Sequence, residues 1–115
     1  MSKIPTYNAV GLSPTVWGAE ERSDIEKNLE HIHEALSAAT WLSGLELPVK
    51  LAVLPEGALQ GFTDEVMDMD HATYREEIAI DIPGPETETL GEYAKEFEVY
   101  LVASAKEKAP EYDEK

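Results

Sequence analysis

A single carboxylate follows the most apolar run of the sequence and is the first candidate for chemistry. Residues 51–54 are Leu, Ala, Val and Leu, Pro55 stops the run, and Glu56 comes next. A buried strand of this kind delivers the residue that follows it to the rim of a sheet, where open α/β sheets bind ligands. The pattern leaves two interpretations of Glu56 open: a charged group aimed at a cleft, or a solvated glutamate in a strand-to-helix loop.

The other groups that could bind a metal do not have a suitable spacing. His31 and His33 are two residues apart, so on a helix they point about 200° apart and cannot bind one ion together. A second cluster lacks the glycine and the terminal glutamate of a calcium loop; it comprises Asp64, Asp68, Asp70 and His71. We therefore predict a solvated acidic loop or short helix there, no metal site and no cofactor.

Composition limits the class of protein. The 115 residues suit one domain, and 24 acidic residues against 9 basic ones give a net charge of -15. Such a field repels phosphate backbones, so we predict no nucleic-acid partner. No stretch approaches the roughly 20 apolar residues of a membrane-spanning helix, and the N-terminus lacks the apolar core of a signal peptide. We expect a cytoplasmic protein without a membrane partner.

Cysteine is absent from the sequence. This excludes disulfides, thiolate metal sites and a cysteine nucleophile within these 115 residues.

The first half of the chain predicts a strand, a helix and a second strand. Tyr7–Leu12 is a short apolar segment stopped by a proline, and Val49–Leu54 is a longer one. Between them, Ser23 and Glu26 fit a capping box, and a helix running to about Leu42 follows. Its apolar face recurs at helical spacing and comprises Ile25, Leu29, Ile32, Leu36 and Ala39.

The second half predicts another helix and a third strand. Residues 72–77 suit one or two helical turns, and residues 78–82 a short strand or an extended connector. Pro85 fits the first position of a helix, whose apolar face comprises Leu90, Tyr93, Ala94 and Phe97. Val99–Ser104 reads as a buried strand, and residues 105–115 as a polar tail.

These elements predict an α/β fold with a mostly parallel sheet, in the order strand–helix–strand–helix–strand. Two long helices can cover only one face of a three-stranded sheet. The strands are apolar enough to require burial on both faces. We therefore expect an incomplete fold, or a partner on the second face.

Several stretches, in chain order, resemble the N-terminal part of the nitrilase superfamily, the carbon–nitrogen hydrolases. The most specific is the apolar strand followed by Pro-Glu, small residues and Gly-aromatic, and its Gly-Ala-Leu-Gln-Gly run is most similar to the amidase side of the superfamily. From the first to the last, the stretches span nearly the whole chain. They are Tyr7–Leu12, Asn28-Leu29, Leu51–Phe62, Ile82–Leu90 and Val99–Ala103.

The resemblance implies an α–β–β–α sandwich and a Glu-Lys-Cys triad that cleaves non-peptide C–N bonds of a small amide, nitrile or carbamoyl substrate. It implies that Glu56 is the general base, which takes the proton of a cysteine thiol so that the thiolate attacks the substrate carbon. The lysine would stabilise the oxyanion. Phe62, after the matched Gly61, would help to line the substrate pocket.

The chain departs from the family pattern in the rest of the triad. It has no cysteine, and Lys106, Lys108 and Lys115 match no lysine motif of the family. We therefore interpret residues 1–115 as the N-terminal part of a truncated or fragmentary carbon–nitrogen hydrolase that is inactive alone. Open strand edges and an uncovered sheet face lead us to expect a homo-oligomer or marginal stability.

Two other functions stay open at this point. The chain could be a non-catalytic α/β binding or interaction module, in which Glu56 is structural and the acidic surface meets a basic partner. It could also be a small acid-dependent enzyme that uses Glu56 together with Asp64 or His71.

Overall fold

The computed structural model describes residues 4–62 and 70–108. Within these ranges the three strands form one parallel sheet in the order β1-β2-β3. The elements are β1 (Asn8–Gly11), α1 (Arg22–Ser43), β2 (Val49–Val53), α2 (His71–Glu77), α3 (Pro85–Glu96) and β3 (Tyr100–Val102). The predicted α/β class and the order of the elements are confirmed, and each strand is shorter than predicted.

Helix α1 begins before the predicted capping box. Its N-cap is Glu21, and the Asp24 carboxylate accepts hydrogen bonds from the backbone N–H groups of Glu20 (3.0 Å) and Glu21 (3.3 Å). The hydrogen bond from Glu20 holds the pKa of Asp24 below its usual value. The box predicted at Ser23 and Glu26 is therefore wrong, because Ser23 already lies within the helix, two residues after the N-cap.

Helices α1 and α3 lie side by side on one face of the sheet. The ring of His33 on α1 lies 4.8 Å from the ring of Tyr93 and 5.2 Å from that of Phe97, and its Nε2 lies 3.0 Å from Glu96 Oε1. The predicted face of α1 is buried at Ile25, Leu29, Ile32 and Leu36. It packs with the α3 residues against the inward row of the sheet, which comprises Val10, Ala52 and Leu101.

The opposite face of the sheet is apolar and open. In register, Ala9 lies beside Leu51 and Tyr100, and the next row joins Gly11, Val53 and Val102. The exposed fractions are 39% for Val53, 81% for Tyr100 and 51% for Val102. The part of the chain that the structure describes therefore covers one face of the sheet, whereas the strand sequences suit burial on both.

The first part of the connector between α2 and α3 is buried, at Ile78, Ala79 and Ile80. Ile80, 0% exposed, forms a parallel bridge with Glu107, so the predicted short strand is reduced to one bridged residue. Across residues 4–62 and 70–108, no helix combines the length and the hydrophobicity needed to cross a membrane.

Candidate functional site

A cleft of about 370 Å³ lies beyond the carboxyl ends of β2 and β3. The loop after β2 forms one wall, and the segment after β3 forms the other. Its lining residues are Glu56, Gly57, Gln60, Phe62, Ser104, Ala105 and Lys106. The cleft therefore brings together both side chains that the sequence singled out, Glu56 and Phe62, with a lysine that the sequence did not.

Two glycines give the loop after β2 its tight shape. Gly57 (φ 79°) and Gly61 (φ 70°) both have left-handed backbone conformations, and the N–H of Gly61 donates to the carbonyl of Gly57 at 2.6 Å. A side chain at residue 57 would overlap the ring of Phe62. The position of Phe62 at the cleft therefore depends on the missing side chain of Gly57.

Replacing Gly61 with alanine is expected to lower the free energy of unfolding by about 2 kcal/mol. The added Cβ would lie 2.7 Å from Gly18 Cα and from the carbonyl oxygen of Trp17, on a backbone that alanine rarely adopts. Urea unfolding followed by circular dichroism measures the change.

Gly91→Ala is the matched control, since nothing lies within 4 Å of a Cβ at this position in α3. It is expected to raise the free energy of unfolding by about 0.5–1 kcal/mol, because alanine favours a helix interior. Equal effects of the two substitutions would contradict the described loop conformation.

Asn28, on α1, binds the loop after β2, which is called the Glu56 loop below. Its side chain is 1% exposed. The amide nitrogen donates to the carbonyls of Leu59 (2.9 Å) and Trp17 (2.7 Å), and the amide oxygen accepts from the N–H of Trp17 at 2.7 Å. One buried side chain therefore holds two loops against the helix, and every polar atom of its amide has a partner.

The charged groups of the cleft have different surroundings. The ammonium group of Lys106 lies over the ring of Phe62, 4.8 Å from its centroid, and 5.8 Å from that of Tyr74, as in a cation–π contact. Glu56 is exposed and, among the residues that the structure describes, its carboxylate has no hydrogen-bond or ion-pair partner. This carboxylate can therefore accept a proton without breaking a described contact.

The other candidate residues are not brought to this cleft. His31 Nδ1 lies 2.8 Å from the carbonyl oxygen of Thr15, and His33 packs between the two long helices. The described residues do not include Asp64, Asp68 or the side chain of His71, so their predicted pairing with Glu56 stays a prediction. Among the residues described, no group of three histidine or acidic side chains could hold a metal ion.

Comparison with known proteins identifies the family. The sequence profile described as Carbon-nitrogen hydrolase matches residues 9–115. The chain belongs to the carbon–nitrogen hydrolase family. A formamidase of Bacillus cereus strain B4264 is 36% identical to this chain over 93 residues, which are 80% of the chain and 25% of the relative. A formamidase of Bacillus anthracis gives the same identity and coverage.

The family match confirms the resemblance inferred from the Pro-Glu stretch. The matched region contains nearly all of the sheet, both long helices and the whole Glu56 loop. The aligned part covers about a quarter of the length of the formamidases.

Proposed function

We propose that this chain carries the general base of a hydrolase that acts on small amides, with Glu56 in that role. The observation that carries the proposal is the Glu56 loop, which presents at the cleft beyond the sheet a carboxylate without a partner among the described residues. The family match and the formamidase relatives support the reaction class. They favour an amide over a nitrile or a carbamoyl compound as the substrate.

In the proposed reaction Glu56 takes the proton of a thiol, and the resulting thiolate attacks the amide carbon. A lysine stabilises the negative charge that develops on the amide oxygen. The Glu56 carboxyl gives this proton to the amide nitrogen, the C–N bond breaks, and ammonia leaves a thioester behind. Glu56 then takes a proton from a water molecule, which attacks the thioester and releases the acid, and the proton returns to the sulfur. Because the 115 residues contain no cysteine, the thiol must come from another polypeptide segment. The chain alone is therefore expected to be inactive.

Complementation tests this proposal. The chain is co-expressed with a Bacillus cereus formamidase that lacks the quarter of its length matching this chain, and ammonia release from formamide is measured. We expect ammonia only when both pieces are present. The matching quarter of the formamidase, supplied as a separate piece, is the positive control.

Two results would contradict the proposal. Ammonia release by the chain alone, abolished in Glu56→Gln, would show a reaction that needs no added thiol. If the two pieces co-purify without releasing ammonia while the positive control is active, the non-catalytic interaction module becomes the better account.

The open sheet face is expected to make the isolated chain self-associate. Replacing both Val53 and Val102 with lysine should raise the concentration at which it associates by roughly tenfold or more, since burying one valine contributes about 1.5 kcal/mol or more. Sedimentation velocity over a concentration series measures this. The two lysines make the net charge of -15 less negative, so a loss of association could not come from a larger overall net charge.

Trp41→Lys is the control, because Trp41 is 71% exposed and lies on α1, away from this face. It should leave association unchanged. A monomer at every concentration before any substitution would refute the expectation.

A further inference from the structure

Gln60 is a buried polar residue in the wall of the cleft that the proposed reaction does not use. It is 2% exposed. Its amide nitrogen donates to the carbonyls of Ile78 (2.8 Å) and Lys106 (2.9 Å), and its amide oxygen accepts from the N–H of Lys106 at 2.6 Å. Each polar atom of the side chain therefore has a backbone partner.

These hydrogen bonds join three segments that are far apart in the sequence. Gln60 belongs to the loop that carries Glu56, Ile78 follows α2, and Lys106 follows β3. The backbone of Gln60 is fixed as well, because its carbonyl accepts from the N–H of Ala19 at 2.8 Å. The carbonyl of Lys106 also accepts from the N–H of Ile80 at 3.0 Å. The Gln60 amide thus connects the two walls of the cleft.

Other side chains of similar size could not replace this amide. Its nitrogen donates to two carbonyls and its oxygen accepts from one N–H, and only a carboxamide supplies two donors and an acceptor from one planar group. Methionine has a similar length but no strong donor or acceptor, and a carboxylate would face two carbonyl oxygens. The chemistry of the site therefore selects glutamine for its hydrogen bonds and not for its bulk.

We propose that Gln60 is a positioning residue, which sets the separation between the Glu56 loop and the segment 104–106 and so holds the cleft open at a fixed width. Any effect of Gln60 on catalysis rests on the proposed function of Glu56, whereas its effect on the width of the cleft does not. Glu56 and Phe62 stand on one side of the bridge, and Ser104, Ala105 and the Lys106 side chain stand on the other.

Gln60→Met in the 115-residue chain tests this by nuclear magnetic resonance. We expect the amide hydrogen of Lys106 to exchange roughly tenfold faster, relative to that of Leu12, because it loses its acceptor. Leu12 is the internal reference, since its N–H bonds to Val53 within the sheet. The nuclear Overhauser contact between the Phe62 ring and the Lys106 side chain should also disappear.

Thr40→Val is the matched control, because it removes a side-chain hydrogen bond to the carbonyl of Leu36 (2.7 Å) far from the cleft. It should leave the exchange ratio and the Phe62–Lys106 contact unchanged. An equal acceleration at Lys106 and Leu12 in Gln60→Met, with the contact retained, would overturn the proposal, since a general loss of stability acts on both amides.

The unsubstituted chain provides a second measurement in case Gln60→Met does not fold. The two amide protons of the Gln60 side chain should exchange slowly with water and show contacts to residues 78 and 106. Rapid exchange of these protons would overturn the proposal. Neither experiment involves hydrolysis, so an inactive complementation assay with a confirmed bridge would refute the proposed function alone.

Discussion

Replacing Asn28 with leucine is expected to lower the free energy of unfolding by about 2–4 kcal/mol. Leucine fits the volume but leaves the N–H and carbonyl of Trp17 and the carbonyl of Leu59 without their partner. Buried polar groups that lose a partner cost more than the hydrogen bond itself contributes. The measurement is urea unfolding followed by circular dichroism.

The same substitution should release the Glu56 loop. Asn28 holds this loop through Leu59, three residues after Glu56. We therefore expect the nuclear magnetic resonance signals of the backbone amides of residues 56–62 to shift in Asn28→Leu in the absence of urea.

Thr40→Val is again the appropriate comparison, because it also removes a side-chain hydrogen bond to a backbone carbonyl of α1. Its expected cost is about 1 kcal/mol. If Asn28→Leu and Thr40→Val cost the same, Asn28 would not be the anchor that its hydrogen bonds indicate.

The sequence predicted those parts of the fold that depend on local periodicity. The face of α1 was predicted because Ile25, Leu29, Ile32 and Leu36 repeat at helical spacing, and all four are buried. Helix α3 begins at the predicted Pro85, where a missing N–H is tolerated. The start of α1 was missed because serine is a favoured N-cap residue and glutamate is not, and the N-cap at Glu21 depends on the chain path before Arg22.

The candidate site was predictable only along one loop. Glu56 and Phe62 lie in the same short segment, so the motif placed them together. The bridge from Gln60 to Lys106 joins residues 46 positions apart. No local pattern encodes such a contact, because it depends on how β2 and β3 align in the sheet. The signal in the sequence was a polar glutamine among the small and apolar residues of the Glu56 loop.

Asn28 was noted for the resemblance to the family and not for its chemistry. A polar residue on the apolar side of a helix is a signal of a buried hydrogen-bond network. Its partners, Trp17 and Leu59, could not be identified before the loops were placed.

Glu56→Gln is expected to lower the rate of ammonia release by the complemented enzyme by roughly 10²–10⁴-fold, the range for loss of a general base. Glutamine has the shape of glutamate but cannot accept the proton of a thiol. The fold should be unaffected, because the side chain is exposed and has no partner among the described residues. Urea unfolding of the unsubstituted chain and of Glu56→Gln checks that the fold is unaffected.

Glu46→Gln is the matched control for charge, since Glu46 is also exposed and lies before β2, at the opposite end of the sheet from the cleft. It removes one negative charge from the same net charge of -15. The variant should keep the rate of the unsubstituted protein.

The most direct test of Glu56 as the general base is therefore the rate of ammonia release from formamide by the complemented enzyme. The rate is compared for the unsubstituted chain, Glu56→Gln and Glu46→Gln. Our account predicts activity with the unsubstituted chain and with Glu46→Gln, and its loss with Glu56→Gln. Equal rates in all three would contradict it, since the thiol would then lose its proton to another group.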